Sequence, residues 1–132
     1  MARRLGRRVT LLYERHMAPF GLSIGQFSLL GMALALPDSR LSTLAEALDI
    51  DRTTISRNLA GLLQAGLAEL RQGDDRRQRL VRATPAGRVL WRQALAGWRI
   101  AQDEARRQMQ DFDRLLIALE KAGDALPGPA SG

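Results

Sequence analysis

From Arg40 to Thr84 the chain reads RLSTLAEALDIDRTTISRNLAGLLQAGLAELRQGDDRRQRLVRAT, and this stretch limits the fold more than any other. Its first part carries Leu41, Leu44, Ala45 and Leu48 at helical spacing. The cap of that short helix is open between Asp38, Ser39 and Ser42. Asp49-Ile50 reads as a tight turn, after which Asp51 is placed to cap a second helix, with Ile50 and Ile55 stapling its start. Ile55, Leu59, Leu62 and Leu63 give that helix one buried face, and Gly66 suits a left-handed C-terminal cap. Beyond Gly66 the period changes from helical to extended. Residues 67–72 and 78–83 read as strands around Gly73-Asp74-Asp75-Arg76-Arg77. An isolated two-stranded ribbon is only marginally stable, so this one must pack on the helices that precede it.

The flanks are helical. Leu5, Val9, Leu12 and His16 recur at helical spacing over residues 3–17, until Pro19, Phe20 and Gly21 interrupt. Ser23 and Gln26 form a capping box, with Leu22 and Phe27 as its staple, for a helix whose stripe is Ile24, Phe27, Leu30 and Leu34. Pro37-Asp38-Ser39 stops it. Thr84-Pro85 opens a long helix expected to reach about residue 109, roughly 37 Å at the standard rise. A separate last helix is expected around Phe112, Leu115, Leu116 and Leu119. The expectation is one domain over residues 1–132, mainly α with a small β-hairpin. Residues 22–84 form its central lobe, 1–21 and 85–123 supply terminal helices, and 124–132 are a flexible tail.

The net charge of +6 is unevenly spread. Residues 1–15 carry five Arg against Glu14, and residues 71–92 carry seven Arg against Asp74 and Asp75. Residues 103–132 hold six acids against four bases. Such patches suit a polyanionic partner. Nineteen of the twenty basic residues are Arg, whose planar fork fits phosphate and guanine edges, although a GC-rich genome also enriches Arg. The absence of Cys excludes thiolate catalysis, Cys-based zinc sites and thiol redox sensing. One His and no glycine-rich phosphate loop leave no visible catalytic constellation, and no metal or cofactor is expected. No apolar run reaches the roughly 18 residues of a membrane span. MARRLGRRV lacks the apolar core of a secretory signal, so a cytoplasmic location is expected.

On the wheel of the helix that Asp51 caps, Thr53, Thr54 and Arg57 lie opposite the apolar face, flanked by Arg52 and Ser56. Short polar side chains and Arg at a helix N-terminus are what base edges in a major groove require. Ala60 and Gly61, further along, keep the helix unobstructed. Alone, the same face would serve as an ordinary bundle surface. The Arg-rich hairpin adds weight: Arg71, Arg76, Arg77, Arg79 and Arg82 lie on or beside it, and an Arg projecting from its tip suits the negative potential of a minor groove. Asp74 and Asp75 fit turn formation and an ion pair that aims a neighbouring Arg better than catalysis. The segment thus has the form of a winged helix-turn-helix, and the expected partner is double-stranded DNA.

Over about residues 5–120 the chain resembles the MarR family of bacterial transcription regulators. The resemblance rests on GLSIGQFSLL, LAEALDIDRTTISRNLAGLLQAGLAEL and GDDRRQRLVRATPAGR, of which the last is the most specific. Asp51, Arg52, Thr54 and Arg57 stand at the family's D-R-x-T-x-x-R positions, and Asp75 and Arg77 at its Asp-x-Arg wing. The resemblance implies that Arg77 enters the minor groove while Asp75 orients it. Ala83-Thr84 replaces the usual strand-ending Leu-Thr.

The terminal helices carry three apolar stripes: Leu5, Val9 and Leu12; Trp91, Leu95, Trp98, Ala105 and Met109; and Phe112, Leu115, Leu116 and Leu119. A two-fold dimer would cover all three, with Trp98 among its contacts; an intramolecular three-helix bundle is the alternative. The family resemblance implies the dimer. It also implies a small aromatic or anionic effector, with Tyr13, His16, Trp91 and Trp98 as candidate lining. Each of these reads more simply as a core, surface or interface residue. The leading expectation is a homodimeric, sequence-specific regulator, a repressor by preference, on a pseudo-palindromic site. The alternatives are a protein-interaction module and a non-specific architectural DNA-binding protein.

Overall fold

The computed structural model describes residues 2–125. Met1 and residues 126–132 lie outside it, and so does most of the expected tail. Helix α1 spans Ala2–Met17 and ends in a 3-10 turn, Ala18–Phe20, closed by Gly21 in the left-handed region (φ 68°). Helix α2 (Ile24–Ala35) starts at the expected capping box: the Gln26 amide donates to Ser23 Oγ and the Ser23 amide to Gln26 Oε1. Strand β1 (Ser39–Arg40) leads into α3 (Leu41–Leu48), and α4 spans Arg52–Gln64. Strands β2 (Ala68–Gln72) and β3 (Arg79–Ala83) form the hairpin, and α5 runs from Pro85 to Ala125.

Three differences from the sequence reading stand out. The first is β1, which makes the hairpin a three-stranded antiparallel sheet in the order β1-β3-β2. The second concerns α3, whose N-cap is Arg40, with no side-chain cap and none of the three expected residues in that role. Its start is set by pairing of Ser39 with Val81 and of Arg40 with Leu80, a constraint from distant sequence. The third is that the two expected C-terminal helices are one, of 41 residues, about 62 Å long at the standard rise. Nothing between residues 109 and 112 breaks a helix: the run QMQDF contains neither Gly nor Pro. The helix continues two residues into the stretch assigned to the tail.

The core lies where α2, α3, α4 and the sheet meet the first half of α5. Leu29, Leu30, Leu44, Ile55, Leu62 and Val81 are fully buried there, joined by Met17 from the end of α1. Trp91 stacks on Phe27 with ring centroids 5.3 Å apart, and its Nε1–H donates to the Phe27 carbonyl at 3.2 Å. Trp98 lies tilted over the same ring at 6.2 Å. Trp91, Leu95 and Trp98 therefore pack against their own lobe. Leu12 is buried within its own chain too, and Val9 is partly buried, although both were expected at a dimer contact. The Leu5 side chain lies outside the described set.

Small residues let α5 approach its neighbours. Ala94, Gly97, Ala101 and Ala105 are buried along one stripe. At Gly97 a Cβ would come within 2.8 Å of the His16 carbonyl oxygen on α1. At Gly87 the approach is closer still, with the Leu67 carbonyl oxygen 2.0 Å from where a Cβ would sit. Thr84 reinforces this junction: its amide donates to the Leu67 carbonyl, its hydroxyl donates to the Gly66 carbonyl, and its Oγ1 accepts from the Gly87 amide. The Thr-Pro-x-Gly string is thus the weld between the sheet and the long helix.

Candidate nucleic-acid interface

The N-terminus of α4 is held by a compact cap. Asp51 Oδ2 accepts the Thr54 amide at 3.0 Å, and the Thr54 hydroxyl donates to Asp51 Oδ1 at 2.6 Å. These bonds, the hydroxyl's first and the amide's second, hold the Asp51 carboxyl below the usual carboxylate value. Thr54 is exposed, but its hydroxyl proton is committed to the cap, so toward any partner that oxygen can only accept. Arg52, Thr53, Ser56 and Arg57 are all exposed. Thr53 and Arg57, four residues apart, share one outward face of the helix.

The hairpin tip is built around Asp75. Its carboxylate accepts the backbone amide of Arg77 at 3.1 Å, and its carbonyl accepts that of Gln78 at 2.9 Å. Asp75 thus shapes the backbone that carries Arg77, and no ion pair to the Arg77 guanidinium is formed. Arg76, Arg77 and Arg79 are exposed, and none of them is paired with a carboxylate among the described residues. Arg82, lower on β3, differs: it is salt-bridged to Asp38 in the turn after α2.

Between α3, α4 and the hairpin runs an open cleft of about 590 Å³. Arg52 and Ser56 line it from α4, and Asp75, Arg77, Gln78 and Arg79 from the hairpin. Arg40 and Ser42 line it from the start of α3, so the cleft carries four guanidinium groups against the carboxylates of Asp75 and Glu46. Sequence reasoning missed Arg40 because only the pairing of β1 with β3 brings it to this wall. No group of His, Asp or Glu among the described residues could hold a metal ion.

The four candidates for an effector pocket sit in different surroundings. Trp91 is used in the core, and its indole N–H is already bonded. His16 Nε2 lies 3.4 Å from Glu104 Oε1, tying α1 to α5. Tyr13 and Trp98 are partly buried. Leu115, Leu116 and Leu119, by contrast, are 45%, 39% and 54% exposed, and Phe112 is partly buried.

Two helices joined by a tight turn, the second offering a polar face, beside a three-stranded sheet with an Arg-bearing tip, define a winged helix-turn-helix protein. A model of the MarR family matches residues 20–78. Among solved structures, the chain is similar to the transcriptional regulator MosR of M. tuberculosis, solved in complex with DNA. The two are 31% identical, the match covers 92% of this chain and 94% of that one, and the TM-score is 0.69. PcaV of Streptomyces coelicolor shares the fold at 23% identity, over 95% of this chain and 96% of that one, with TM-score 0.74. So does BpsR of Bordetella bronchiseptica, whose DNA binding is regulated by 6-hydroxynicotinic acid, at 21% identity, over 90% of this chain and 89% of that one, with TM-score 0.75. No curated protein sequence matches the chain. The chain belongs to the MarR family: it is a winged-helix, DNA-binding transcription regulator and not an enzyme.

Proposed function

We propose that the protein is a homodimeric, sequence-specific repressor that acts in the cytoplasm on a pseudo-palindromic operator. The observation that carries this reading is the Arg-lined cleft between α4 and the wing. A phosphodiester strand fits between them, with Arg40, Arg52 and Arg79 near its phosphates. Thr53, Thr54, Ser56 and Arg57 then face a major groove, and Arg76 and Arg77 reach the adjoining minor groove. Phosphate attraction alone would not call for the short polar face of α4, which favours specific over architectural binding.

The second lobe comes from a second copy. The exposed leucines on the outer half of α5 have no cover among the described residues, and a two-fold axis through them pairs identical surfaces. Two recognition helices then meet half-sites about one helical turn apart. A small aromatic or anionic effector would act where α1 and α5 meet the lobe, near Tyr13, His16 and Trp98. Titration with an aromatic carboxylate, followed by Trp fluorescence and by release of bound duplex, tests that part.

The direct test of the DNA reading uses a duplex selected from a random pool by the purified protein. Arg57→Ala and Arg77→Ala should each weaken its binding by about 1–3 kcal/mol, and affinity should fall steeply as salt rises. If both variants bind like the parent, the assignment of these side chains to the grooves is wrong.

A further inference from the structure

The wing is too small to set its own angle to the recognition helix. What holds it lies at its base. Arg82 on β3 grips Asp38 with two prongs: Nε donates to Oδ1 at 2.8 Å, and a terminal nitrogen donates to Oδ2. The partners are 44 residues apart in sequence, so the pair joins two separate parts of the lobe, the turn after α2 and the stem of the wing. Asp38 adopts a positive φ of 56°, an uncommon backbone state that Asp and Asn tolerate better than most residues. The two residues after it, Ser39 and Arg40, pair with Val81 and Leu80, which places the salt bridge at the end of the β1–β3 ladder. Glu69 stands opposite Arg82 across β2–β3 and adds a second negative charge.

Arg82 is therefore occupied within the protein, whereas the arginines at the tip are paired with no carboxylate among the described residues. It lies five residues beyond the hairpin tip residue Arg77 along the approach to β3 and β3 itself, roughly 16 Å at the strand rise. A rotation of about 10° at the base would carry the tip some 3 Å sideways over that lever arm, enough to take a guanidinium out of hydrogen-bond reach.

We propose that the Asp38–Arg82 pair is a positioning lock. It fixes the angle between wing and α4, so that Arg77 and Arg57 engage neighbouring grooves together, and it does so without touching DNA. This rests on the reading of Arg57 and Arg77 as DNA contacts given above. An ordinary surface salt bridge, with these side chains 37% and 38% exposed, would leave DNA binding unchanged. Bidentate geometry across two separate elements is the case in which such a pair constrains orientation.

A double-mutant cycle on the full chain separates these roles, with the selected duplex as probe. Asp38→Asn removes the charge while tolerating the positive φ, and Arg82→Gln attacks the pair from the other side if the first variant fails to fold. In the parent, Arg77→Ala should weaken binding about tenfold or more. In either lock variant the same substitution should cost less than about threefold, while Arg57→Ala keeps its full effect in both backgrounds. A general loss of stability would not single out Arg77. If Arg77→Ala costs the same with and without the pair, the lock is refuted. If neither Arg57→Ala nor Arg77→Ala weakens the parent, the DNA-contact reading fails and the lock falls with it.

Discussion

The two halves of α5 belong to one unbroken helix and yet have opposite surroundings. The inner half buries Gly87, Ala94, Gly97, Ala101 and Ala105 and lays Trp91 and Trp98 over Phe27. The outer half exposes Leu115, Leu116, Ile117 and Leu119. Small residues mark the half that receives backbone from its own chain, at Leu67 and His16. The outer half carries its exposed leucines where no such approach occurs among the described residues, although Val89 and Ile100 of the inner half are exposed as well. The contrast teaches that burial of apolar surface along a helix is decided by its neighbour's approach distance as well as by the helical period.

Removing the leucines should produce the largest effect. Leu116→Glu combined with Leu119→Glu places charge on the exposed outer stripe without touching the lobe. The expected product is a folded monomer on sedimentation, with its melting transition intact. Its affinity for a two-half-site duplex should fall by about a hundredfold or more, because the second lobe loses its tether. If the double variant remains dimeric, the outer half of α5 is not the interface, and the contrast between the halves has another origin.

The inner half should respond in the opposite sense. Trp91→Ala removes the stack on Phe27 and the bond to its carbonyl, and should cost about 3 kcal/mol in stability, read by denaturant titration. At protein concentrations where it is folded, the variant should stay dimeric. Dissociation without loss of stability would show that the two halves are not separable.

How much of this was legible in the sequence depended on distance along the chain. The Ser23–Gln26 box and the Asp51 cap rest on residues three apart, and both stand as read. The Thr84-Pro85 start of α5 is local as well. The start of α3 was not legible, because it is imposed by strands meeting across some forty residues. The partner of Arg82 was hidden for the same reason, so an Arg of the wing looked available when it is engaged by Asp38. Arg40 joined the cleft only through that pairing. Of the Trp91–Met109 stripe, Trp91, Leu95 and Trp98 are covered by their own lobe and Met109 is exposed: periodicity shows that a face is apolar, and it does not say whether the cover comes from the same chain. Leu12 went the same way. The assignment of groove contacts to Thr53, Arg57 and Arg77 was made from side-chain chemistry, and the duplex measurements test it.

The smallest expected effect concerns acid, and it belongs to the lobe. Asp38 is held below its ordinary value of 3.8, chiefly by the hydrogen bonds from Arg82. Asp51 is held below 3.8 as well, chiefly by the Thr54 hydroxyl and then by the Thr54 amide. In the unfolded chain both carboxyls titrate near the ordinary value, so as pH falls through about 4 the unfolded state takes up protons before the folded state does. Their stabilisation is complete above that value and is lost as pH drops further, toward the folded-state values. Trp fluorescence, reporting the contact of Trp91 and Trp98 with Phe27, should therefore show a melting temperature that is level near neutrality and declines below about pH 4. Asp38→Asn and Asp51→Asn should each start lower at neutral pH and decline less steeply in acid. The Leu116→Glu, Leu119→Glu variant adds its carboxyls outside the lobe, and once dissociation is accounted for it should retain the parent's acid decline. If the two asparagine variants decline as steeply as the parent, acid acts on the protein elsewhere than at the turn after α2 and the cap of α4.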